Sequence, residues 1–69
     1  MVEVFKTNVQ WVNEAEDLIQ KLLEHFPHYI MNFDLEDCDK ILRVEGEDIF
    51  ASKIIKYLNE YKYTCEILE

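Results

Sequence analysis

The sequence predicts an α+β domain built in the order β-α-β-β-α-β, and three observations carry that expectation. Apolar residues recur twice at helical spacing, in the first third and the last third of the chain, and short alternating segments flank each run. Turn-forming residues fall between these segments rather than inside them. One Gly and one Pro in 69 residues, with 49% apolar content, describe a compact chain with short connections. Disordered chains combine high charge with low hydrophobicity, and only the charge is present here.

Val2 to Thr7 alternates apolar and polar side chains and predicts the first strand. Asn8 to Val12 is a short connection. Asn13-Glu14-Ala15-Glu16 has the form of a capping box that starts the first helix. Behind it Ala15, Leu18, Ile19, Leu22, Leu23 and Phe26 fall on one face, and Pro27 stops the helix. Tyr29 to Leu35 and Ile41 to Glu45 are the next two strands, with Met31, Phe33, Leu35, Leu42 and Val44 facing the core. Between them Glu36-Asp37-Cys38-Asp39-Lys40 is short enough for a hairpin, its Asp residues tolerating the left-handed backbone. Gly46 punctuates, and Glu47 and Asp48 bring negative charge to the start of the second helix. Its apolar face is Phe50, Ala51, Ile54, Ile55 and Leu58. Tyr63 to Leu68 closes the chain as a fourth strand, Cys65 and Ile67 on one side and Glu66 and Leu68 on the other.

This order is the ferredoxin-like split βαβ. Right-handed crossovers then give a four-stranded antiparallel sheet of order 4-1-3-2 with both helices on one face. Residues 1–69 form one domain, small enough to bury only roughly 60% of its unfolded surface. A deep, water-excluding active site does not fit that size, so the chain reads as non-enzymatic, with no cofactor implied.

Seven basic residues against fifteen acidic ones give a net charge of −8, and no two basic residues are adjacent. Binding to nucleic acid or to anionic lipid needs clustered Lys and Arg, so neither is an expected partner. No apolar stretch approaches the ~20 residues needed to span a bilayer. Met1-Val2-Glu3-Val4-Phe5-Lys6 has neither part of a secretory signal, which makes the cytoplasm the expected compartment, with both cysteines reduced.

The size, order and element lengths resemble the heavy-metal-associated domain of copper chaperones and metal-transporting ATPases. The stretch Asn32-Phe33-Asp34-Leu35-Glu36-Asp37-Cys38-Asp39-Lys40-Ile41-Leu42-Arg43-Val44-Glu45 further resembles short, uncharacterised bacterial proteins related to that domain. The resemblance implies the same fold over the whole chain. The metal-binding family carries Met-x-Cys-x-x-Cys between the first strand and the first helix, where this chain has Thr7-Asn8-Val9-Gln10-Trp11-Val12-Asn13. Soft Cu(I) needs thiolate or thioether ligands, and that loop offers none, so no family site residue carries over.

Four features remain as candidates for chemistry. Cys38 lies among Asp34, Glu36, Asp37 and Asp39, a negative field that makes it a poor nucleophile but leaves Cys38, Asp37 and Asp39 as metal-ligand candidates. Neither a glycine hinge nor a bidentate Glu completes a calcium loop there, and a solvated acidic tip is the simpler reading. Cys65 sits two strand spacings away, roughly 10 Å at ~4.8 Å each, beyond the ~7 Å reach of a disulfide. His25 and His28 end the first helix on either side of Pro27, which separates their faces, and they lie at the opposite end of the sheet from Cys38.

The uncovered sheet face is the fourth candidate. If Val2 and Val4 point to the helices, Phe5 points outward beside Ile30, Ile41 and Leu68, forming an apolar interface patch. Trp11 is a second interface candidate, although burial against the first helix is the fate the sequence favours for it. Bases stack on such a face in RNA-recognition domains, but the basic residues for that role are lacking. The expected function is therefore a protein-interaction module, or a weak homodimer. The alternative is a metal-binding protein using Cys38 or the Asp34/Glu36/Asp37/Asp39 cluster.

Overall fold

The computed structural model describes residues 1–68. Its elements are β1 (Val2–Thr7), α1 (Val12–His25), β2 (Ile30–Asp34), β3 (Ile41–Glu45), α2 (Ala51–Glu60) and β4 (Cys65–Ile67). The strands form one antiparallel sheet of order β2-β3-β1-β4, the expected ferredoxin-like arrangement with β1 and β3 in the middle. The core lies between this sheet and the helices, with Leu18 and Leu22 of α1, Ile54 and Leu58 of α2, and Leu42 and Val44 of β3 all buried.

Strand β1 adopts the opposite phase to the expected one. Phe5 is 0% exposed and belongs to the core, while Val2 faces away from it and is exposed. The register explains this: Phe5 stands opposite Leu42 on β3 and Ile67 on β4, and residues directly opposite share a face. Each phase turns one charged residue toward the helices, Glu3 opposite Val44 in the adopted one and Lys6 in the other, and the adopted one buries the Phe5 ring completely and leaves Glu3 half-buried at the margin. The buried Thr7 hydroxyl that comes with this phase is satisfied, donating to the Lys40 carbonyl and accepting from the Val9 N–H.

The helix starts also differ. Helix α1 begins one residue before Asn13, with Trp11 as its cap residue and no side-chain cap. The Trp11 carbonyl accepts the Ala15 N–H at 3.0 Å, so Asn13 is already inside the first turn. Phe50, expected on the core face of α2, is instead its cap residue and 54% exposed. Glu47 and Asp48 precede the helix by several residues, outside its first turn. The helix start is tied from a distance: Tyr29 Oη accepts the Phe50 N–H at 3.1 Å and donates to the Asp48 carbonyl.

Candidate functional site

The hairpin between β2 and β3 carries the acidic cluster, and its carboxylates close turns. Asp34 and Asp37 each accept the backbone N–H two residues on, at 3.2 and 2.9 Å. The left-handed position falls on Lys40, with φ 49°, rather than on an Asp. Lys40 compensates for that backbone by donating its Nζ to the Leu35 carbonyl at 3.0 Å. The tip is held against β1, since Thr7 N–H donates to the Asp39 carbonyl at 3.1 Å and Lys6 Nζ lies 3.8 Å from Asp39 Oδ1.

Asp37, Cys38 and Asp39 bring one ligand atom each within 4.8 Å of one another, with Cys38 exposed. Two of those three donors already have work, Asp37 in its turn and Asp39 in the pair with Lys6. Cys65 is buried on β4 opposite Thr7, and both cysteines are free. Burial pushes the Cys65 thiol up to about 12, and the neighbouring Glu66 charge adds to it.

The loop that would hold a thiolate pair in a heavy-metal-associated domain has structural tasks here. Val9 is fully buried in the core, and Asn8 Oδ1 accepts the Thr64 N–H at 2.9 Å, tying the loop to the start of β4. Trp11 is 64% exposed, so it is not buried against α1.

At the opposite end of the sheet, His25 and His28 line an open groove of about 900 Å³ with Val2, Tyr29, Ile30 and Phe50. The His25 ring packs on Tyr57, centroids 4.6 Å apart, which turns it toward α2. The stacked pair Phe26 and Tyr29, centroids 5.5 Å apart, forms the wall behind it.

The open sheet face does not hold the expected patch. Phe5 leaves it for the core, and Ile41 is only 9% exposed, so neither is available as drawn. Ile30 and Leu68 do stand on that face and are exposed, with Val2 beside them. They are separated by Arg43 and Glu45, which pair at 2.8 Å across the middle of the face. The register puts Ile30 in a row with Glu45 and Val2, and Ile41 in a row with Asp34 and Lys6, so charge interrupts each.

A feature the sequence reading missed is a second groove, about 700 Å³, between α1 and the edge strand β2. Ala15 and Ile19 on α1 face Met31, Phe33 and Leu35, and Glu16, Asp34 and Glu36 stand at the rim. Its signal was present in the sequence: Phe33, Leu35 and Ile19 are all core-type residues, but β2 is an edge strand and leaves them only half-covered.

No family model matches the chain, and neither does any curated protein or solved structure. Among the described residues no helix is long and apolar enough to cross a membrane.

Proposed function

We propose that the chain is a non-enzymatic protein-interaction module with a heavy-metal-associated-like fold that has given its metal loop over to structure. The observation that carries this is Ile30. It is a large apolar side chain, 68% exposed, at the start of an edge strand, and it shares one groove with Val2 and the exposed Phe50. Scattered surface apolars need no explanation, but three around one groove beside an open edge are what an interface needs. The occupation of the β1–α1 loop by buried Val9 and the Asn8 tie supports the loss of metal chemistry at that place.

Self-association through the sheet face loses its central residue with Phe5 in the core. Metal binding through Cys38, Asp37 and Asp39 has the 4.8 Å clustering behind it, but two of its donors are engaged.

The test uses Ile30→Lys and Phe50→Lys. A residue kept for binding contributes little to folding, so each variant should unfold within about 0.5 kcal/mol of the parent in denaturant. A loss above about 1.5 kcal/mol in both would make them structural residues and remove the support for an interface.

A further inference from the structure

We propose that the groove between α1 and β2 receives an extended, basic segment of a partner protein as a fifth strand of the sheet. This deepens the interaction-module reading and rests on it. Strand β2 pairs with β3 on one side only, and among the described residues its outer backbone groups have no partner. An antiparallel ladder directs alternate N–H and C=O groups to each side, so Ile30–Asp34 presents a row of free donors and acceptors.

Open edges are normally blunted by Pro, Lys, a bulge or extreme shortness. Ile30-Met31-Asn32-Phe33-Asp34 has no Pro and no Lys, and it runs without a bulge through five paired residues. The other edge, β4, has only three residues. An added strand on β2 would turn alternate side chains into the groove, where half-buried Ile19, Phe33 and Leu35 leave apolar surface uncovered. The remaining side chains would lie over the open sheet face beside Asn32 and Asp34.

Charge selects the occupant. Glu16, Asp34 and Glu36 line the groove, no basic side chain does, and among the described residues none of the three is in an ion pair. A second copy of this chain would bring the same carboxylates to the same edge, on a molecule that also carries −8. A partner strand alternating apolar residues with Lys or Arg sets the apolar ones on the groove floor and the basic ones over the open face beside Asp34, while Glu16 and Glu36 add to the negative field around it. The groove at the other end is lined by both signs, Lys53 with Glu45, Glu47 and Asp48, and makes no such selection.

The experiment titrates the whole protein with acetyl-Lys-Val-Lys-Val-Lys-Val-amide and with two controls, the Glu-Val and Lys-Pro peptides of equal length. Trp11, exposed and adjacent to groove residue Val12, reports by fluorescence, and backbone amide shifts locate the site. The Lys-Val peptide should bind with shifts concentrated at Ile30–Asp34 and around Ile19, and the controls should not. Asp34→Asn, which keeps the acceptor for the Glu36 N–H, together with Glu36→Lys, both on the exposed surface, should weaken binding by about tenfold and remove most of its salt dependence. Equal binding of the Lys-Pro peptide would mean charge attraction without strand addition and would overturn the proposal. So would shifts confined to the Ile30–Phe50 end groove, although that outcome leaves the interaction-module reading standing. Edge-to-edge dimers of the free protein in sedimentation would overturn the choice of occupant.

Discussion

Gly46 makes room for the ring of Tyr29: a Cβ built on Gly46 falls 2.7 Å from Tyr29 Cδ1 and 3.1 Å from Cε1. Tyr29 is buried, and its hydroxyl ties the start of α2 through the Phe50 N–H and the Asp48 carbonyl. The only glycine in the chain therefore permits the contact that stands in for a helix cap.

Two substitutions separate these roles. Gly46→Ala should destabilise by ~1–3 kcal/mol, because a well-packed ring must shift to admit the methyl group. Tyr29→Phe keeps the ring and removes the hydroxyl, and should cost ~1–2 kcal/mol through the lost tie. Denaturant titration of both checks this. If Tyr29→Phe leaves the midpoint unchanged, the Phe50 N–H finds water instead.

Phe5→Ala should cost ~3–5 kcal/mol, since the ring is fully buried between Leu42 and Ile67. Val2→Ala, on the exposed opposite phase, should change stability by less than about 0.5 kcal/mol. Leu22→Ala and Ile54→Ala should each cost ~2–5 kcal/mol from the centres of the two helices. In so small a domain any of the three core changes can unfold most of the population. Reversed sensitivities at Phe5 and Val2 in thermal or chemical melts would mean that β1 packs in the other phase.

The two thiols should differ in reactivity. In the native protein an aromatic disulfide reagent should label Cys38 well before Cys65, which should react only on the timescale of unfolding, because Cys38 is exposed, though among carboxylates, and Cys65 is buried. Mass spectrometry after a short pulse should find one label per chain. Two rapid labels would place Cys65 outside the core.

Stability should fall at alkaline pH. The Cys65 thiol rises from 9.0 to about 12 on folding and the Tyr57 hydroxyl from 10.0 to about 12, both chiefly through burial. Native Cys65 and Tyr57 keep their protons where the unfolded chain has lost them, so unfolding is favoured as pH rises above about 9. Their contribution is complete below pH 9.0 and lost progressively toward 12. Tyr63, whose hydroxyl donates to Glu14 Oε2 at 2.7 Å and is raised first by that bond, acts in the same direction. Cys65→Ala should flatten the first part of this decline in melts taken between pH 8 and 10.5. An unchanged slope would assign it to the tyrosines.

Cu(I) should be held no more tightly than by a generic two-thiol peptide, since the β1–α1 loop is occupied by Val9 and Asn8 and has no thiolate. Competition against a chelator checks this. Submicromolar stoichiometric binding that Cys38→Ser abolishes would instead assign a metal site to the hairpin tip.

The sequence by itself determined the element order, the centres of the helix faces and the core side of β2 and β3, because Leu18, Leu22, Ile54 and Leu58 repeat at helical spacing and Met31, Phe33, Leu42 and Val44 alternate; Leu23 and Phe50, expected on those faces, are exposed. Both ends of the sheet were legible too, with the Cys38 tip at one and His25 at the other. Only the tertiary structure decided the phase of β1. Val2-Glu3-Val4-Phe5-Lys6-Thr7 offers two apolar residues in one phase and one large ring in the other, and local pattern cannot weigh them. Pairing weighs them, by setting Phe5 between Leu42 and Ile67. The start of α2 was decided the same way, by a hydroxyl 21 residues earlier in the chain rather than by a local cap. The α1–β2 groove also needed the assembled sheet, since β2 becomes an open edge only once β3 is paired on both sides and β2 on one.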